Sequence, residues 1–300
     1  MPCIPADQPD AEKGPIREEF RPVKHTARAL VSKYYATVLK GQRAKYVFIL
    51  GHMRSGSSLL THILASSDEV RGYGETHLTY HHRKDLRLLK AKVLFTLRAV
   101  WPDKTEGYYL DKILHSMHFS LTESNFAYAS NMRFIYFLRD PEPTVLSMIK
   151  TFGYTQDEAC SYYIGRLETI RREAEIIPDK TRFLFFTHAQ LLGETDAVLG
   201  SLRNFLGLKK PLSQEYEVLR TTGKPVVGDP SEAIKTGRIL RTDPNAGADA
   251  GLHVGMLVQN DLLGRAKAVY ASTCAELQNV CSTVAASEQL ASADEDPNGA

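Results

Sequence analysis

The segment from Lys45 to Leu64 restricts the fold more than any other part of the chain. Lys45-Tyr46-Val47-Phe48-Ile49-Leu50 is an apolar run of strand length and β-rich composition. A turn bounded by Gly51 and Gly56 follows, and then Leu59, Leu60, Ile63 and Leu64 recur at helical spacing. The order is strand, tight loop, helix. Glycines at both ends let the backbone fold so that successive N–H groups and the positive end of the helix converge on one point, where a phosphate or sulfate can sit. Gly51, Arg54, Ser55, Gly56, Ser57 and Ser58 are therefore candidate anion-binding residues. The spacing of the two glycines is that of a nucleotide phosphate loop, yet Ser57 stands where a nucleotide triphosphatase places its lysine. The cation is instead Arg54, inside the loop.

The remaining pattern alternates. Further strands are expected at residues 69–75, 108–114, 133–138 and 182–187, and helices at 25–39, 80–100, 143–150, 155–177, 189–206 and 254–284. The near-continuous apolar character of 133–138 predicts a central parallel strand covered on both faces. Alternating strands and helices predict an α/β fold, three-layered around a mainly parallel sheet with right-handed crossovers. In the basic helix at 80–100, Leu86, Leu89, Val93 and Leu97 share one face, and Arg83, Lys84, Arg87, Lys90 and Lys92 are expected in solvent. Residues 1–24 read as a poorly ordered lead, 25–284 as one domain with a long irregular stretch at 208–251, and 285–300 as a disordered acidic tail.

Composition removes several function classes. A 300-residue chain with 43% hydrophobic and 24% charged content can build one large core. A net charge of +2 gives no general case for nucleic acid or anionic membranes, so any basic site must be local. Cys3, Cys160, Cys274 and Cys281 show neither metal-ligand spacing nor a disulfide framework. The first twenty residues carry Asp10, Glu12, Glu18 and Glu19 and no apolar core, and no later apolar run approaches bilayer length. A cytoplasmic location is the expectation, and the oligomeric state is left open.

In a parallel sheet the strand ends would bring Gly51, Gly74-Glu75, Asp111-Lys112 and Arg139-Asp140 to one carboxyl edge, where open α/β sheets bind ligands. Arg54, Lys112 and Arg139 would then offer three cations to an anion-rich ligand, and Glu75 a carboxylate able to act as a base or merely to cap the following turn. His52 and His77 flank the site as second-choice bases, and His81-His82 reads as a surface pair. A Mg²⁺-dependent phosphoryl-transfer enzyme would use Asp140 and a loop lysine, and the lysine is absent.

Gly51 to Leu60 resembles the 5′-phosphosulfate loop of sulfotransferases that use 3′-phosphoadenosine 5′-phosphosulfate (PAPS). Phe137-Leu138-Arg139-Asp140-Pro141 through Ser147 resembles their 3′-phosphate element. The match is closest in style to the tyrosylprotein and carbohydrate branches, through Gly74-Glu75-Thr76, Asp111-Lys112 and Ser147-Met148-Ile149. It covers roughly residues 45–206, with weaker echoes at Gly228-Asp229 and Gly237-Arg238. Departures are His188 in place of an acidic residue, the lack of a proline soon after Lys112, and acceptor-facing segments that match nothing. The resemblance implies a P-loop-like architecture and in-line sulfuryl transfer from PAPS to a hydroxyl or amine, leaving PAP and needing no metal. Glu75 would be the base, with Arg54 and Lys112 stabilising the sulfuryl oxygens and leaving phosphate. Arg139 and Ser147 would hold the 3′-phosphate, and the loop with Lys235, Thr236, Gly237 and Arg238 would close over the nucleotide. The acceptor class stays open among carbohydrate, peptide tyrosine, lipid and small molecule. A small-molecule kinase and a non-catalytic nucleotide-binding protein are the rival readings.

Overall fold

The structure is a computed structural model that describes residues 44–82, 85–97, 107–115, 129–223, 232–241 and 257–284. The expected lead at 1–24, the helix at 25–39, the tail at 285–300, Arg83, Lys84 and Gly228-Asp229 lie outside the described residues.

Six strands form one sheet: β1 (Lys45–Gly51), β2 (Val70–Arg71), β3 (Tyr108–Ile113), β4 (Met132–Leu138), β5 (Phe183–Thr187) and β6 (Ser282–Thr283). Their order is β2-β3-β1-β4-β5-β6, and every pairing is parallel. The helices are α1 (Ser57–Ala65), α2 (Asp85–Thr96), α3 (Pro141–Phe152), α4 (Gln156–Ala174), α5 (His188–Gly193), α6 (Thr195–Leu206) and α7 (Asp261–Val280). Because successive side chains of a strand point to opposite faces, β1 feeds two cores. Tyr46, Phe48 and Leu50 join Phe134, Tyr136 and Leu138 against α2, α4 and α7. Val47 and Ile49 join Ile135, Phe137, Leu184 and Phe186 against α1, α5 and α6. The result is three layers with the sheet in the middle. β1 lies between β3 on one side and β4 on the other, so the order of the strands reverses at its carboxyl end, which opens a crevice there. No helix among the described residues is long and apolar enough to cross a membrane.

Local chemistry moves several element boundaries. α3 starts at Pro141 rather than residue 143 because the Asp140 carboxylate accepts from the Glu142 N–H at 3.0 Å and proline suits the first helical position. α4 starts after Thr155, which forms a reciprocal cap with Glu158. The helix expected at 189–206 is two helices, interrupted at Glu194. The last helix ends at Val280, and the residues beyond it pair with β5 as a short sixth strand. α2 buries Leu86, Leu89 and Val93 as expected, but Leu97 is exposed. Lys90 is not in solvent: its stem is buried and its ammonium lies 5.2 Å from the centre of the Tyr109 ring. Lys92 turns inward too, donating to the Thr76 carbonyl.

α4 also carries two buried charges, Arg166 and Glu173. Arg166 Nε donates to the Gly51 carbonyl at 2.8 Å and Nη2 to the Ile113 carbonyl at 3.5 Å, tying together the ends of β1 and β3. Glu173 is 2% exposed, and neither carboxylate oxygen has a hydrogen bond among the described residues. Burial pushes its carboxyl up to about 7, against the opposing pull of Arg166 and Arg172. The sign follows from linkage. Below about pH 4.5 the group is protonated in both states; from there to about pH 7 the unfolded chain gives up its proton first, and stability falls by about 3 kcal/mol as pH rises. Glu173→Gln should remove that decline, visible as a gain in urea midpoint over wild type at pH 8 that shrinks at pH 4.5.

Candidate active site

Two contacts explain the glycines that bound the loop after β1. A Cβ on Gly51 would stand 2.6 Å from the Phe137 carbonyl oxygen, so only glycine lets β1 and β4 run this close. Gly56 adopts φ 88° at the head of α1 and packs beneath the His188 ring. No side chain caps α1, so its first N–H groups face the crevice without a side-chain acceptor. The buried Ser55 hydroxyl likewise has no hydrogen bond among the described residues. Lys112, from the end of β3, donates from Nζ to the Ser58 hydroxyl at 3.0 Å. The cation that the loop lacks at Ser57 is thus supplied by a neighbouring strand.

A second cationic group stands at the end of β4. The Arg139 N–H donates to His52 Nε2 at 3.1 Å and the Arg139 carbonyl accepts from the Tyr163 hydroxyl at 2.6 Å, so its main chain is held from both sides. Arg139 Nη1 donates to the Arg54 carbonyl at 3.1 Å. Arg54 itself, at φ 62°, donates from Nε to the Ser147 hydroxyl on α3 at 2.8 Å. The structure therefore groups Arg54 with Arg139 and Ser147, whereas the resemblance implied that it serves the sulfuryl end beside Lys112. The reason is geometric: the left-handed backbone at Arg54 and the hydroxyl of Ser147 direct its guanidinium to α3.

The third part follows β2, which pairs only through Val70 and Arg71 and stops short of the strand expected at 69–75. A Cβ on Gly72 would collide with Leu110, and Gly74 has φ 131°, so the chain leaves the ladder here. Asp111 takes over its hydrogen bonds. The fully buried carboxylate accepts from the Thr76 N–H at 2.9 Å, from the Thr76 hydroxyl, and from the Tyr80 hydroxyl at 2.5 Å. Burial pushes Asp111 up to about 6 in spite of these bonds, and the charge of Glu75 adds to the rise. Glu75 is held at the crevice with its side chain 13% exposed. Its Oε1 is buried, has no hydrogen bond among the described residues, and lies 3.9 Å from His77 Nδ1. The same charge acts on Tyr162, whose hydroxyl accepts from the Met53 N–H at 3.0 Å and donates to the Leu114 carbonyl at 2.9 Å. Tyr162 thereby staples the loop to the end of β3.

Two sequence-derived placements change. His52 is not a free base. It is fully buried, Nδ1–H donates to the Met53 carbonyl at 2.9 Å, and its other nitrogen is taken by Arg139. Gly237 and Arg238 are not brought to the loop. Gly237 accepts from the Tyr216 N–H at 2.8 Å, Arg238 bridges to Glu215, and both line a cavity of about 600 Å³ with Ser66, Asp68 and Lys210. That cavity lies towards the carboxyl end of α1, on the order of 13 Å along the helix from its head. One group was missed. His115 follows the end of β3, half-buried, with its ring 5.8 Å from that of Tyr162. Its place three residues after Lys112 was the available signal. Among the described residues no three His, Cys, Asp or Glu side chains are grouped as a metal site requires.

No protein-family model matches the chain, and no curated protein matches it. Among solved structures, a sulfotransferase domain from the curacin biosynthetic pathway aligns over 77% of this chain and 98% of its own, with TM-score 0.50 and 14% identity. A sulfotransferase domain from the Synechococcus PCC 7002 olefin synthase aligns over 77% of this chain and 96% of its own, with TM-score 0.53 and 16% identity. The chain has the sulfotransferase fold. Within that fold the loop after β1 and the end of β4 are bonded to each other, and the turn after β2 is bonded to Asp111 of β3.

His52 links the first two of these, and its burial has a thermodynamic signature. Its pKa is pushed down to about 3, chiefly by burial and further by Arg139 and Arg166. Above about pH 6.5 both states hold the ring neutral. As pH falls from there towards 3 the unfolded chain takes up a proton that the folded one refuses, so stability is lost on the order of 5 kcal/mol. His52→Gln should be less stable than wild type at pH 7, and the gap should narrow or reverse by pH 4.5 in urea titrations.

Proposed function

We propose that this protein is a sulfotransferase that moves a sulfuryl group from PAPS to a hydroxyl or amine of its acceptor, leaving PAP. The observation that carries this reading is the presence of two groups of hydrogen-bond donors and cations at the ends of adjacent strands, each suited to an anion. One is the uncapped head of α1 with Lys112; the other is Arg139 with Arg54 and Ser147. A donor with a phosphosulfate at one end and a 3′-phosphate at the other fits both, and the unbonded Ser55 hydroxyl adds a donor beside the first pole.

When bound, PAPS supplies the sulfuryl group and a stable leaving phosphate. Lys112 and the first N–H groups of α1 stabilise charge on the sulfuryl oxygens and on the phosphate as the bond to it breaks. Arg139, braced by His52 and Tyr163, binds the 3′-phosphate together with Ser147 and Arg54, which selects PAPS over donors lacking that group. Glu75 accepts the proton of the acceptor hydroxyl or amine as its oxygen or nitrogen bonds to sulfur. Its buried, unbonded Oε1 suits that task better than a capping role, in which it would accept local N–H groups. The acceptor is a carbohydrate, a peptide tyrosine, a lipid or a small molecule.

Arg139→Ala should weaken PAP binding by about 2 to 4 kcal/mol in calorimetry and leave AMP binding unchanged; equal losses for both would separate Arg139 from the 3′-phosphate. Glu75→Gln should keep PAP affinity while lowering turnover roughly 10²- to 10⁴-fold on the best acceptor found by screening with labelled PAPS. Near wild-type turnover would pass the base role to His77 or His115.

A further inference from the structure

The segment after α6 crosses the outer face of α1. The Lys209 N–H donates to Glu69 Oε1 at 2.7 Å, the Glu217 N–H to the Ser66 hydroxyl at 2.8 Å, and the Tyr216 ring lies 5.6 Å from that of His62. The segment then reaches two adjacent threonines that hold different halves of the crevice. The Thr221 hydroxyl donates to the Tyr73 carbonyl at 2.8 Å, one residue before the Gly74-Glu75-Thr76 turn. The Thr222 hydroxyl is 2.7 Å from His62 Nε2. Since His62 Nδ1 lies 2.7 Å from the Ser58 carbonyl, which can only accept, that nitrogen carries the proton and Nε2 accepts from Thr222. Ser58 is in turn the partner of Lys112 Nζ.

We propose that Thr221 and Thr222 form a clip that sets the spacing between the donor-binding head of α1 and the turn that carries Glu75, with Thr222 acting through His62 and Thr221 through the Tyr73 carbonyl. This inference rests on the donor reading above. Both threonines are positioning residues. In-line transfer needs the base and the sulfuryl site held within a few tenths of an ångström of their working distance. The two halves come from different elements, α1 and the turn after β2, and β3 contacts both through Lys112 and Asp111. A dipeptide bonded to both gives a second tie besides that of β3.

Thr→Val removes each hydroxyl while keeping the side-chain shape, and the two changes should separate. Thr222→Val should weaken PAP binding about 3- to 10-fold by calorimetry and speed amide exchange at residues 58–62. Thr221→Val should leave PAP affinity within about twofold and speed exchange at residues 73–76 by a similar about 3- to 10-fold factor. Serine at either position should restore the wild-type values. Wild-type behaviour of either valine variant in its own readout would overturn the clip, as would equal acceleration of exchange across the whole sheet by both. If wild-type protein binds no PAP the donor reading falls, and the exchange rates at 58–62 and 73–76 still decide whether the two ties exist.

Discussion

The bond from the Arg139 amide to His52 Nε2 holds the loop after β1 against the end of β4. β1 ends in a loop and β4 ends in a helix cap, and this link joins them beyond the last ladder pair, Gly51 with Phe137, alongside the bond from Arg139 Nη1 to the Arg54 carbonyl. His52 spends both ring nitrogens on backbone groups, one on each element, and its ring meets Tyr163 edge-on at a centroid distance of 4.7 Å. Tyr163 then fixes the Arg139 carbonyl. A neutral, buried histidine thus joins the loop after β1 to the end of β4.

Cations are placed here by carbonyl oxygens. Arg166 is 3% exposed and Arg139 6%, and acceptors meet part of each buried guanidinium, while Arg166 Nη1 and Arg139 Nε have no hydrogen bond among the described residues. Arg166 binds the carbonyls of Gly51 and Ile113, and Arg139 that of Arg54. Carbonyl partners orient a guanidinium through the dipole of a neutral group. Lys112 likewise donates to a neutral group, the Ser58 hydroxyl. The same principle works in reverse at Asp111, whose buried carboxylate is held by hydroxyl and N–H donors and so shapes the Glu75 turn without competing with it for a cation.

Much of this was legible in the chain because the signals were local. A doubly covered strand such as β4 is apolar from Phe134 to Leu138, and the tight loop after β1 needs glycine at Gly51 and Gly56, where a Cβ would clash. What could not be read depended on partners distant in sequence. Arg54 turns to Ser147, 93 residues away, so its side grouping had no local mark. β2 is short because Asp111, 35 residues on, captures Thr76. Lys90 and Lys92 look like a solvated face by spacing, yet the Tyr109 ring and the Thr76 carbonyl draw them inward. β6 is two residues long and exists only because β5 offers an open edge to it. Gly237-Arg238 matched a loop pattern, while both residues are held by pairing with Tyr216 and Glu215.

Ligand-induced change in melting temperature of the wild-type protein, compared among PAP, AMP and ATP with Mg²⁺ at equal concentration, tests the two-pole donor site most directly. PAP alone should raise the melting temperature substantially, because only it bridges the head of α1 and Arg139. Stabilisation by ATP with Mg²⁺ in excess of PAP, or equal stabilisation by PAP and AMP, would contradict the account.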